Sequence, residues 1–450
     1  MKFKDVIKEF SHLRWVYENM QFSTTMGREL LLNTPFCSKI EILNNVYAEL
    51  HQFINTNNNK RGWFDKIKVI LSHIRDIQGT ISRTKNGGIL DEIELFELKQ
   101  FAYNVSLLAK LDVDGINPID EVFLLLDPDN SGVVNFYIYS SYSKEIEQLR
   151  ERLKQEKDEN VIEEIYLQIA QEEEVVRRDL SQKLATHYDD LHSSINRIAE
   201  VDLIIAKCEF ISHEQMTRPQ FVEYKKRHFL GLFNPYLRSI VDSYQSVDIS
   251  LTDAPIIITG ANMSGKSMLL KSVALAQYLV QFGFYAPAAT VEISVVDKIH
   301  LLMGDYQQES VGLSSYAAEI TEVSNIINDI EKGGKHLVLI DELARTTSPI
   351  EGVAIVNATA EIMANQKTMS LITTHYNVAQ KGIRKLRVRG FVEDLHPETV
   401  TIKNISHFID YSLFEVHNNE HFDSEAIRIA EILNINDKLI NLSKKYVQNR

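Results

Sequence analysis

Residues 260–267 read Gly260-Ala261-Asn262-Met263-Ser264-Gly265-Lys266-Ser267, a match to G-x-x-x-x-G-K-[ST]. The flanks suit the motif. The apolar run Pro255-Ile256-Ile257-Ile258-Thr259 predicts a strand before it, and the pattern from Lys266 to about Gln281 predicts a helix after it. Glycines let backbone amides converge on phosphate oxygens, and a helix starting there points its positive end at them. Lys266 is expected to bring a point charge to the β- and γ-phosphates of ATP, and Ser267 a hydroxyl to Mg²⁺.

Two further segments point to the same chemistry. His336-Leu337-Val338-Leu339-Ile340-Asp341-Glu342 predicts a strand buried on both faces of a parallel sheet, ending in two carboxylates. Such strand ends face the crevice where α/β sheets bind ligands. Asp341 is expected to hold Mg²⁺ through water, and Glu342 to polarise the attacking water. Leu371-Ile372-Thr373-Thr374-His375 predicts another strand, whose His375 reaches the γ-phosphate. Each segment alone is a weak signal, since many strands end in acidic turns and many loops carry a histidine. Three in this order make an ATP-hydrolysing site the reading.

These residues resemble the ATPase domain of the MutS family, the ABC-type ATPases of DNA mismatch repair and its relatives. The Asn262-Met263 pair is typical of that family, as is Asp341-Glu342-Leu343-Ala344-Arg345-Thr346-Thr347-Ser348-Pro349-Ile350-Glu351-Gly352. Gly304-Asp305-Tyr306-Gln307-Gln308 and Leu313-Ser314-Ser315-Tyr316 look like its Q-loop and signature loop, in a form similar to the branch associated with recombination control. The resemblance implies that Gln307 senses Mg²⁺ and the attacking water. It also implies that Ser314 reaches across a dimer interface to the partner's γ-phosphate. The serine pair equally suits a helix N-cap, since a helical run with Glu319 follows. Ala344 and Thr346 stand where the family usually has glycine, and Ser315-Tyr316 where it usually has Thr-Phe. These departures bear on subunit communication more than on hydrolysis.

Net charge is −14, from 48 basic and 62 acidic residues, which argues against a generic polyanion binder but not against a local basic surface. Lys225-Lys226-Arg227 is one small basic cluster; Lys381, Arg384, Lys385, Arg387 and Arg389 form another. Both are expected to be solvated edges, and the alternation around Leu386 and Val388 suits an exposed strand. No apolar run approaches a membrane span, and Met1-Lys2-Phe3-Lys4-Asp5 opens no signal peptide. Cys37 and Cys208 have no metal spacing and suit incidental thiols, so a cytoplasmic location is expected.

The 450 residues leave room for several domains. Residues 1–125 read as helical, and Thr25-Met26-Gly27-Arg28-Glu29-Leu30-Leu31-Leu32 and Gly87-Gly88-Ile89-Leu90 resemble the MutS core domain. Residues 126–235 hold a turn segment and a charged helical hairpin, a lever-like pair of arms. Asp127-Pro128-Asp129-Asn130-Ser131-Gly132 imitates the start of a calcium loop, but position 12 is Ile138, so a turn between extended segments is expected. From Ser143 to about Phe210 two antiparallel arms are expected, with the break at Asp158-Glu159-Asn160 and the second arm running from Val176 to Ile198. Residues 236–415 form the α/β P-loop ATPase module. Residues 416–450, with Ser424-Glu425-Ala426-Ile427-Arg428-Ile429-Ala430, resemble the family's C-terminal helices, which implies a dimer contact or otherwise a plain helix pair. No mismatch-reading domain and no terminal nuclease domain is visible.

The expected fold is an ABC-type P-loop ATPase domain behind a mainly α-helical core and lever region, closed by C-terminal dimerisation helices. The expected partners are a second copy and double-stranded or branched DNA. The alternative is a protein client, such as a cobalamin-dependent aminomutase reactivated by an ATP-driven remodeller. A nucleotide-gated structural dimer is a third reading, against which Glu342 and His375 count.

Overall fold

The apolar run Pro255–Thr259 forms a strand with its three isoleucines fully buried, and a six-stranded sheet assembles around it. The computed structural model describes residues 1–224, 226–261, 263–303, 315–376, 378, 382–391, 405–416, 427, 430–431 and 435–448. In chain order the helices α1 (Phe3–Glu9), α2 (Ser11–Asn19), α3 (Thr25–Asn33), α4 (Ile40–Asn59), α5 (Trp63–Leu71), α6 (Gln78–Lys85), α7 (Glu92–Ala109) and α8 (Asp120–Leu125) come first. Then follow α9 (Lys144–Gln155), α10 (Glu159–Thr186) and α11 (Tyr188–Glu214). The mixed part contains β1 (Gln220–Phe221), β2 (Lys226–Leu232), α12 (Pro235–Ile240), β3 (Val247–Thr252), β4 (Pro255–Thr259), α13 (Lys266–Gln281), β5 (Thr290–Ile293) and β6 (Lys298–Leu302). It continues through α14 (Ser315–Glu331), β7 (His336–Ile340), α15 (Pro349–Asn365), β8 (Met369–Thr373), β9 (Arg384–Phe391), β10 (Ile409–Glu415) and α16 (Asp437–Gln448). The chain divides into two units: Met1–Asn19, Pro35–Ala48 and Phe210–Arg450 form one, Met20–Thr34 and Glu49–Glu209 the other.

In the α/β unit the large sheet has the order β10-β9-β4-β8-β7-β6, parallel except for β10 at one edge. Every residue of β7 and β8 is buried, which suits the apolar stretches Leu337–Ile340 and Leu371-Ile372 at their centres. Val323, Ile326 and Ile330 of α14 and Val356, Ala360 and Met363 of α15 pack on Ile257, Val338, Ile340 and Ile372. Because β8 lies between β4 and β7, the ends of these three strands stand side by side at the carboxyl edge. A second sheet has the order β1-β5-β2-β3.

The basic clusters are the solvated edges expected only in part: Lys226 and Arg389 are exposed, but Arg227, Lys385 and Arg387 are not. β9 pairs with β4 on one side and β10 on the other, and Lys385 and Arg387 are buried. Lys385 donates to Val378 O. Arg227 is 1% exposed and donates through Nε to Ser294 Oγ and through Nη2 to Ser294 O. Alternation along a strand reports which face a side chain takes, not whether that face is covered. Lys225 and Lys381 lie outside the described residues.

The other unit is helical. Thr24 caps α3 by accepting from Gly27 N, and Asp202 in turn accepts from Ser23 N, Thr24 N and Thr24 Oγ1. A Cβ on Gly27 would lie 2.5 Å from Asp202 Oδ2, which accounts for the glycine. The charged stretch from Ser143 departs from a two-arm hairpin. Its break falls at 156–158, with Asp158 capping α10, but α10 runs on unbroken to Thr186 and α11 follows as a third helix. Leu149 of α9 packs on Ile165 and Ile169 of α10. The turn at Asp127 is present, with Asn130 N donating to Asp127 O at 3.0 Å, yet helix α8 rather than an extended segment precedes it. Asp127 accepts from Ser131 Oγ, Gly132 N and the buried Lys99 Nζ, so a lysine stands in the place a calcium loop would give its ion. Both cysteines are free thiols. No helix among the described residues is long and apolar enough to cross a membrane.

Candidate active site

The loop between β4 and α13 is shaped by backbone that few residues adopt. Gly260 has φ +145°, Met263 +69° and Gly265 +85°. A Cβ on Gly265 would also lie 2.8 Å from Tyr411 Cδ1, so two constraints require glycine there. Lys266 opens α13 and is 4% exposed, its Nζ donating to Gly260 O at 2.9 Å and Ala261 O at 2.7 Å. The ammonium is thus curled into the loop that a phosphate would fill. Ser264 Oγ is buried and has no hydrogen-bond partner among the described residues, a donor placed to meet a ligand oxygen. Ser267 is the second residue of α13, where backbone N–H groups lack helical acceptors. Asn262 lies outside the described residues. Orphan hydroxyl, glycine cradle and helix terminus together fit a triphosphate.

The strand ends beside this loop carry the acids. Asp341, 9% exposed, follows β7 and accepts from Thr373 Oγ1 at 2.7 Å. Glu342 has φ +52°, and its N donates to the same Thr373 Oγ1 at 2.7 Å. Glu342 Oε1 lies 2.7 Å from His375 Nε2, and Oε2 accepts from Arg345 Nη1 at 2.6 Å. Burial pushes the Glu342 carboxyl up, but the hydrogen bonds and charges of Arg345 and His375 outweigh it and hold it below its ordinary value. Among the described residues no group of three or more His, Cys, Asp or Glu could hold a metal ion. Ser267 and Asp341 are hard oxygen donors of the kind Mg²⁺ takes together with phosphate oxygens and water, and they would suit that ion. Gln307 and Ser314 lie outside the described residues.

One part of the site had no signal in the sequence. A cavity of about 210 Å³ adjoins the loop, lined by Tyr244, Gln245, Met263, Ser264, Met268 and Tyr411 among others. The side chain of Gln245 staples its walls: Nε2 donates to Asp410 Oδ1 and Oε1 accepts from Tyr411 N, both at 2.9 Å. Tyr244 Oη accepts from Asn234 N at 2.8 Å. No spacing rule joins residues 244 and 411.

A family model described as MutS domain V matches residues 256–449. The DNA mismatch repair protein MutS of Petrotoga mobilis is 31% identical over 257 residues, covering 52% of this chain and 31% of the relative. MutS of Clostridium perfringens is 28% identical over 279 residues, covering 60% and 30%. DNA mismatch repair protein msh3 of Botryotinia fuckeliana is 27% identical over 257 residues, covering 56% and 22%. The match spans less than a third of the length of these curated relatives.

Proposed function

The chain belongs to the MutS family, and on that premise we propose that it binds ATP with Mg²⁺ and hydrolyses it as a homodimer acting on DNA, in mismatch repair or recombination. The observation that carries the hydrolytic part is the meeting of Glu342 and His375 at 2.7 Å, on strand ends beside the loop of Lys266. Bound ATP with Mg²⁺ supplies the phosphoryl group and the cation that neutralises its charge. Lys266 exchanges two loop carbonyls for phosphate oxygens, and Ser264 Oγ gains an acceptor. Ser267 and Asp341 hold the cation. The cavity between Tyr244 and Tyr411 takes the flat base. Glu342, kept ionised, orients the attacking water, and His375 fixes the carboxylate and reaches the γ-phosphate. Gln307 and Ser314 keep the roles that family resemblance implies, Ser314 from the partner subunit. Leu439, Leu442 and Tyr446 of α16 are exposed and suit a contact with a second copy. The relatives named above are mismatch repair proteins, which favours DNA over a protein client.

The test is steady-state ATP hydrolysis at near-physiological salt, with and without duplex, mismatched and branched DNA. Stimulation by one DNA form, abolished in Glu342→Gln while that variant still binds ATP, is expected. A basal rate indifferent to every DNA form would overturn the DNA assignment, and wild-type turnover in Glu342→Gln the catalytic one.

A further inference from the structure

We propose that Glu319 is a positioning residue for Glu342, acting through the backbone of Ala344 and so tying α14 to the hydrolytic carboxylate. The inference rests on the role given to Glu342 above. Glu342 and Ala344 both hold left-handed backbone, φ +52° and +61°, which disfavours residues with a Cβ. Such a loop persists only where its surroundings over-determine it. Here the fastenings are visible. Thr373 Oγ1 accepts from Glu342 N at 2.7 Å, and Thr373 O accepts from Leu343 N at 3.3 Å. Tyr376 Oη donates to Ala344 O at 2.8 Å. These anchors belong to β8 and the turn that follows it. The anchor on Ala344 N comes from elsewhere: Glu319 Oε1, on the first turns of α14, accepts from it at 2.8 Å.

That bond is consequential because Ala344 is fully buried, so its N–H has no water to replace a lost acceptor. It is also mechanically direct. Val323, four residues on from Glu319 and on the same helical face, packs with Leu343 and Ala344 in one cluster. A shift of α14 therefore carries Glu319 with it and pulls on the peptide two residues from Glu342. What Ala344 N needs is an acceptor rather than a charge, since burial pushes the Glu319 carboxyl up and a carboxamide oxygen would serve as well.

The test uses the full chain and compares wild type, Glu319→Ala and Glu319→Gln for ATP affinity by titration and for hydrolysis rate at saturating ATP. Glu319→Ala is expected to lower kcat about tenfold or more while leaving ATP affinity within about twofold. Glu319→Gln is expected to stay within about threefold of wild type in both. If Glu319→Ala does not fold, Glu319→Met keeps the volume without the acceptor and carries the same expectation. Wild-type kcat in the acceptor-less variant would overturn the proposal. So would equal losses in Glu319→Gln and Glu319→Ala, or a fall in affinity that matches the fall in rate. A wild-type protein that binds and hydrolyses no ATP at all would instead overturn the reading of Glu342 on which the proposal rests.

Discussion

Lys266, 4% exposed, meets two backbone carbonyls at 2.7–2.9 Å, so a phosphate must offer more than those carbonyls do. The difference lies in charge, because a hydrogen bond to an ionised acceptor is about twice as strong as one to a neutral acceptor. Lys266→Ala is accordingly expected to weaken ATP binding by about tenfold to a hundredfold, equivalent to about 1.5–3 kcal/mol; unchanged affinity in a direct titration would remove the loop from the binding site. Gln245 acts differently, because it touches the cavity walls rather than the phosphate end. Its two bonds set the gap between Tyr244 and the strand of Tyr411. Gln245→Leu keeps the bulk and loses both bonds. It is expected to raise the dissociation constant for ATP about fivefold to tenfold while leaving that for inorganic triphosphate unchanged. Equal effects on both ligands would show that the cavity does not read the base.

Among the elements, α15 and β8 illustrate how a glycine can serve a neighbour. A Cβ at Gly352 would lie 2.5 Å from Tyr376 Cε2, inside contact distance, and Tyr376 holds Ala344 O. Gly352→Ala must displace that ring, at an overpacking cost of about 1–3 kcal/mol. Hydrolysis is expected to fall more than ATP affinity; an unchanged rate in a destabilised variant would mean the ring moves without disturbing the acidic loop. In the helical unit, Lys99 and Asp127 are both buried, 3.1 Å apart, with Lys99 Nζ also donating to Asn135 O and Tyr139 Oη. Removing one partner strands the other charge, so Lys99→Met is expected to cost about 3–5 kcal/mol. The double change with Asp127→Asn should recover part of this in a denaturant titration, and no recovery would mean that packing, not charge, dominates the loss.

At the scale of the molecule, two buried histidines of the α/β unit make its stability depend on acid. His12 has its pKa lowered to about 4 by burial and then by Lys271; His300 is lowered to about 4 by burial, then by Lys298 and His336. His300 Nε2 lies 3.1 Å from His336 Nδ1, and His336 Nε2 lies 3.0 Å from Gly333 O. Because the folded pKa of each lies below its unfolded value, the unfolded chain binds more protons between about pH 4 and 6.5. Stability is therefore fully present above about pH 6.5 and declines as pH falls through that window, by about 2 kcal/mol per histidine between pH 7 and 5. His300→Gln should reduce the slope of unfolding free energy against pH by about one proton over this range; an unchanged slope would mean the ring is already protonated in the fold.

What the sequence determined alone is local. Pro255–Thr259 and Lys266–Gln281 were legible as strand and helix because continuous apolar runs and helical periodicity are properties of consecutive residues. The break read at Asp158-Glu159-Asn160 meets the observed one only at Asp158, whose side chain caps α10 by accepting from Asn160 N. Only the tertiary structure decided that β8 separates β4 from β7, which brings His375 against Glu342 across 33 residues of chain. It also decided that Lys385 and Arg387 are buried, since coverage of a face is set by distant elements. The cavity of Tyr244 and Tyr411 and the grip of Glu319 on Ala344 were likewise beyond any motif. A hydrogen bond between far-separated residues depends on where two elements are packed, and no period or spacing in the chain encodes that distance.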